Sequence, residues 1–138
     1  MVSWYVMQYM ILIYLDENAL TEAQREACYV ESPQYAHQLQ ARGQFLATAP
    51  LQPTSTASSI RVRDGKRFVT EGPFAETHEQ LGGFFLIEAK DREEAIEIAA
   101  GIPAGRWGTV EVRPVVKVAG LPTESLVRGV DLARSQAT

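Results

Sequence analysis

Tyr9 to Leu15 reads YMILIYL, seven apolar residues without a break, and Phe84 to Ile87 reads FFLI. A strand that never alternates to polar is covered on both faces. The first run is too short to cross a bilayer as a helix, which takes about 20 residues, and Asp16-Glu17 follows it at once. The residues before it lack the basic n-region and small-residue cleavage site of a secretory leader. Both runs are therefore expected to be central strands, and any fold must hide both of their faces.

Little else is available to cover them. Thr21 with Gln24 makes a capping box, so a helix is expected to start there. Ala23, Ala27, Val30, Tyr35, Ala36 and Leu39 form its loose apolar stripe, with a kink or break at Pro33 and a stop at Gly43. Asp91 and Glu94 open a second helix, with Ala95, Ile96, Ile98 and Ala99 inward and Gly101 and Pro103 ending it. Phe45–Ala49 reads as a short strand. Thr109–Val118 reads as the last one, with Pro114 marking an edge or an end. Ile60 to Val69 around Asp64-Gly65 is a two-residue hairpin with a type I′ turn.

The order β-α-β, hairpin, β-α-β suggests an α+β fold, an antiparallel sheet with two helices on one face. The other face would then be apolar and bare, which is rare in a soluble monomer. A second copy is expected to close it as a two-fold homodimer, with space between the sheets for a small-molecule ligand. Residues 1–118 form one domain on this reading. Residues 119–138 form a tail, in which Pro122-Thr123 starts a short helix carrying Leu126, Val127 and Val130.

Composition bounds the function. The chain has 138 residues, 46% hydrophobic and 22% charged, with net charge −4. That balance is ordinary for a soluble domain and argues against direct nucleic-acid binding. Nothing points to a membrane. The single cysteine, Cys28, rules out an intrachain disulfide and is expected to be a packed thiol in a reducing cytoplasm. No zinc-spaced Cys/His set, cofactor motif or G-x-S-x-G occurs, so neither metal nor cofactor is expected.

Candidate chemistry concentrates in Thr70–Ile87, where Gly72-Pro73 reverses the chain and Gly82-Gly83 re-enters a strand. One reading is enzymatic. His78 is the acid or base, Glu71 or Glu76 orients it, and Arg61 or Arg63 grips the carboxylate of a small organic acid, with Phe74 a further ligand contact. His78, Glu76 and Glu79 offer too few ligands for a convincing metal site. A second reading is a non-catalytic ligand-binding or regulatory module, and a third is a purely structural dimer. The four cations Arg61, Arg63, Lys66 and Arg67 serve either as an anion contact or as protection against edge pairing. Glu71 is expected to accept a hydrogen bond in the turn at Gly72-Pro73.

Four segments carry a resemblance: Met7–Tyr14, Val62–Lys66, Thr70–Thr77 (TEGPFAET) and Gln80–Phe84. Together they resemble the DGPF branch of the YCII-related family over roughly Met7 to Val115. The resemblance implies a ferredoxin-like fold in a dimeric α+β barrel. It also implies a link, for this branch, to sigma-factor-dependent transcription. Distant relatives include a small-molecule dehydrochlorinase with a histidine–aspartate pair, whose histidine is not carried onto His37 or His78. Glu71 stands where the branch has aspartate, and His78 where lysine is usual. Met1–Val6 precede the usual start.

Overall fold

The computed structural model describes residues 7–122. Its elements are β1 (Met7–Leu15), α1 (Glu22–Ala41), β2 (Phe45–Pro50), β3 (Ser58–Arg63), β4 (Lys66–Glu71), β5 (Gln80–Ala89), α2 (Arg92–Ala100) and β6 (Gly108–Pro114). Four strands make one antiparallel sheet in the order β2-β5-β1-β6. This is the ferredoxin-like arrangement, with both helices on one face. The two fully apolar runs are the two inner strands, because only an inner strand has neighbours on both edges and side chains to hide on both faces.

Alternation along the inner strands sends Tyr9, Ile11, Ile13, Phe85, Ile87 and Ala89 to the helix side, where all are buried. They meet Leu39 and Cys28 of α1, Ala95, Ile98 and Ala99 of α2, and Ile102 and Ala104 beyond it. Met10, Leu12, Tyr14, Phe84 and Leu86 point to the opposite side and are only partly buried. Helices α1 and α2 are fastened to each other by the Tyr35 hydroxyl, which donates to the Ile98 carbonyl at 2.6 Å. Arg106 adds a two-pronged bond to Glu31, 3.0 Å to each oxygen.

Local rules account for the helix ends. Thr21 and Gln24 form the full capping box, at 3.1 and 3.0 Å. Asp91 accepts from the Glu94 N–H at 2.9 Å, but the Glu94 carboxylate reaches the Lys90 N–H instead of closing the box. Asp64 (φ 52°) and Gly65 (φ 75°) form the type I′ turn.

Several expectations are corrected. The hairpin does not join the main sheet; β3 and β4 pair only with each other. Strand β5 begins at Gln80, so Gly82-Gly83 lies inside it, at the irregularity where Ile13 faces Gly83 and Tyr14 faces Leu81. Strand β6 stops at Pro114, not Val118. Helix α1 runs through Pro33 as one element. Proline's missing N–H leaves the carbonyl of Tyr29, four residues back, without its helical donor, and Tyr29 is an exposed residue. Val30 faces outward, and the inner stripe runs Cys28, Tyr35, Ala36, Leu39. The helix expected after Pro122 lies outside the described residues.

Two glycines are demanded by proximity. A Cβ at Gly108 would collide with the Tyr14 carbonyl oxygen, and one at Gly101 with the Tyr35 hydroxyl. Gly105 has only Val110 nearby, at an ordinary 3.9 Å. We expect Gly108→Ala and Gly101→Ala each to cost about 1–3 kcal/mol, and Gly105→Ala much less, in urea unfolding followed by circular dichroism.

Candidate functional site

The loop between β4 and β5 is braced by side chains that the sequence reading did not single out. Gly72, at φ 100°, donates its N–H to the Ala57 carbonyl at 2.7 Å and accepts from the Ser59 hydroxyl at 2.8 Å. The turn's polar groups are therefore met from the start of β3, and the exposed Glu71 side chain forms no hydrogen bond among the described residues. Gln80 spans the far end. Its oxygen accepts from the Glu17 N–H at 2.9 Å, and its amide donates to the carbonyls of Thr77 and His78 at 2.6 and 3.2 Å. Glu79 accepts from the Thr109 hydroxyl at 2.8 Å.

This bracing sets His78 beside Asp16, with Nε2 3.6 Å from Oδ2, rather than beside Glu71 or Glu76. The histidine side chain is 91% exposed. Glu76 is also exposed. Phe74 lies under the Arg61 guanidinium, 5.0 Å from ring centroid to charge, and Arg63 donates to its neighbour's carbonyl at Val62. Of the six residues singled out from sequence, only Arg61 and Phe74 meet; all six are exposed, and none borders the large cavity. Among the described residues no three His, Cys, Asp or Glu side chains converge as metal ligands.

The cavity, about 590 Å³, lies beneath α1 instead. Leu39 and its neighbours seat the C-terminal half of the helix on the core. On an adjoining face the helix carries Arg25, Cys28, Ser32, Ala36, His37 and Gln40 around the space. The floor is Ile13, Leu15, Phe45 and Phe85. Gly83 lets β2 come close at one side: a Cβ there would sit 3.0 Å from the Ala49 carbonyl. The wall after β2 is held by Glu17, whose oxygens accept from the Thr54 N–H at 2.8 Å and the Thr54 hydroxyl at 2.7 Å. Gln80 borders both the cavity and the loop, so it joins the two regions.

The cavity is lined by one carboxylate, Glu17, and one guanidinium, Arg25, and the two do not pair. The Glu17 carboxylate is already occupied by Thr54. Arg25 makes no ion pair among the described residues. Cys28 is buried, and burial pushes its thiol up from the ordinary value; nearby Arg106 opposes that, Glu31 adds to it and Arg25 opposes it. Tyr35 is raised by burial too, with Arg42 opposing. Arg25, His37 and Gln40 were the residues sequence reasoning missed. No spacing marks them, since any amphipathic helix carries polar residues beside its apolar stripe.

The sheet order and the two helices define an α+β domain of a recognisable class. The YCII-related domain matches residues 7–119, and the chain belongs to that family. It is 34% identical over 118 residues to an uncharacterised protein of Rhizobium meliloti, covering 79% of this chain and 92% of that one. Its fold is similar to that of the 5-chloro-2-hydroxyhydroquinone dehydrochlorinase of Burkholderia phenoliruptrix, solved in complex with 2,5-dihydroxybenzoquinone. The TM-score is 0.51 at 16% identity, covering 81% of this chain and 96% of that one. No described helix is long and apolar enough to cross a membrane.

Two outcomes follow from this geometry. Glu71→Ala should change stability by less than about 0.5 kcal/mol, and Glu79→Ala, which frees Thr109, should cost more; thermal melts compare them. The raised thiol of Cys28 stabilises the fold with the proton on. That contribution is complete below the ordinary thiol value of 9.0 and is lost as pH rises through the higher folded value. Stability should therefore fall above about pH 9, and Cys28→Ala should flatten the early part of that fall in urea titrations at stepped pH.

Proposed function

We propose that the protein binds a small organic anion in the cavity beneath α1, as one subunit of a homodimer. The observation that carries this is Arg25, an unpaired cation among the described residues, on the wall of an otherwise mainly apolar cavity of about 590 Å³. Such a space, with few polar groups, is what small-molecule sites look like. A guanidinium prefers a carboxylate or phenolate. The similar dehydrochlorinase was solved with a single-ring compound, which supports a ligand of that size. His37, on the same wall, supplies an imidazole that can donate or accept a proton, so acid/base chemistry on a bound acid is within reach.

The apolar residues on the open side of the sheet support the homodimer, because a second copy would cover them. The Gly72-Pro73-Phe74 turn supports membership of the DGPF branch. A regulatory, non-catalytic binding module, linked to sigma-factor-dependent transcription, is the second reading. The exposure of Glu71, Glu76 and His78 favours it over catalysis in that loop.

A thermal-shift series with benzoate and hydroxybenzoates tests the proposal. Saturating ligand, at about a hundredfold its Kd, adds about 2.7 kcal/mol and should raise the melting temperature of wild type and His78→Ala, but not of Arg25→Ala. A shift lost in His78→Ala and kept in Arg25→Ala would move the site to the β4–β5 loop. No shift with any of these acids would count against this ligand class.

A further inference from the structure

The hairpin of β3 and β4 has two chemically distinct faces, and the apolar one is largely uncovered among the described residues. Ile60 pairs with Val69 and Val62 with Arg67, so these four side chains share one face; Arg61 pairs with Phe68 and Arg63 with Lys66 on the other. Ile60, Val62 and Val69 are 59%, 59% and 56% exposed. A two-stranded hairpin standing free in water is marginal. This one needs a surface.

We infer that the hairpin is an arm that clasps a second copy of this chain. Its Ile60–Val62–Val69 face lies on the partner's open sheet face, at Met10, Leu12, Tyr14, Phe84 and Leu86. The inference rests on the homodimer proposed above and assigns the segment that holds it. Two observations choose this occupant. The chain carries its own complement, an apolar sheet face that its helices leave uncovered. Charge also matches. The hairpin holds four cations against Asp64 and Glu71, whereas the whole chain is at −4. Glu88 and Glu111 stand on the open face, opposite Gln8 and Leu12; Arg113, opposite Met10, offsets Glu111 at 3.7 Å, which leaves Glu88 as the acid to meet a cation such as Arg67 at the margin of the apolar patch. An anionic bilayer would attract the same hairpin but repel the acidic body behind it.

The test uses the full chain. Sedimentation should give wild type twice the 15.3 kDa chain mass. Ile60→Asp/Val69→Asp should weaken self-association at least tenfold, with unchanged far-ultraviolet circular dichroism and an unchanged thermal shift with benzoates. In a Cys28→Ala background, Val62→Cys on one chain should cross-link through a short bismaleimide to Met10→Cys on another, and not to Ala100→Cys on the helix side. A monomeric wild type overturns the homodimer and the arm together. A dimer of unchanged affinity in the double aspartate variant, or no Val62–Met10 cross-link in a dimeric protein, overturns the arm alone. If the double variant misfolds, the cross-link decides. Wild-type binding to phosphatidylglycerol vesicles that the variant loses would make the hairpin a membrane element and overturn the inference.

Discussion

Phe85 is the side chain on which the rest of the structure leans. It is 1% exposed in the middle of β5, and its ring meets Tyr35 and Phe45 edge-on at 6.2 and 6.4 Å. These contacts tie the inner strands, the C-terminal half of α1 and the edge strand β2 into one core. Burying a ring this size contributes about 1.5–3 kcal/mol by area alone. The same packing limits what α1 can cover. Beside the seated Tyr35 and Leu39, the face of α1 from Arg25 to Gln40 borders the cavity.

Close backbone approach shapes what surrounds that space. Gly83 lets β2 press against β5 at one side, and Gly108 lets β6 begin against the Tyr14 carbonyl. Gly101 leaves room for the Tyr35 hydroxyl, whose bond to Ile98 keeps α1 and α2 in register. None of these three needs a left-handed backbone; each is small because another group occupies the place of its side chain. Glu17 then uses both oxygens to hold the chain after β2 against the end of β1. Glu17 keeps its charge in doing so but is held by Thr54, and Arg25 stands on the same cavity with no ion-pair contact among the described residues.

Chemistry in the β4–β5 loop is dispersed by the same kind of local satisfaction. Gly72 takes its partners from Ala57 and Ser59, so Glu71 is released to solvent. Gln80 gathers Thr77, His78 and Glu17, and His78 ends beside Asp16. The residues nearest in sequence to His78 are not its nearest carboxylate in space, because a strand start and a strand end meet there. On the proposed reading the loop braces the cavity rim through Gln80, and the ligand is held on the helix side.

Sequence alone determined the elements whose causes are local. The two unbroken apolar runs placed the inner strands, Thr21-x-x-Gln24 and Asp91 placed the helix starts, and Asp64-Gly65 set the hairpin turn. The motif segments around Gly72 and Gly82 identified the family. Even there, Pro33 did not break α1, which continues through it as one helix. Only the tertiary structure decided which groups share a space. It set the hairpin apart from the sheet, paired His78 with Asp16, and turned Arg25 and His37 toward a cavity that no spacing rule describes. Strand and turn formation depend on neighbours along the chain, but a cavity is the remainder left when distant surfaces fail to meet, so it exists only once all of them are in place.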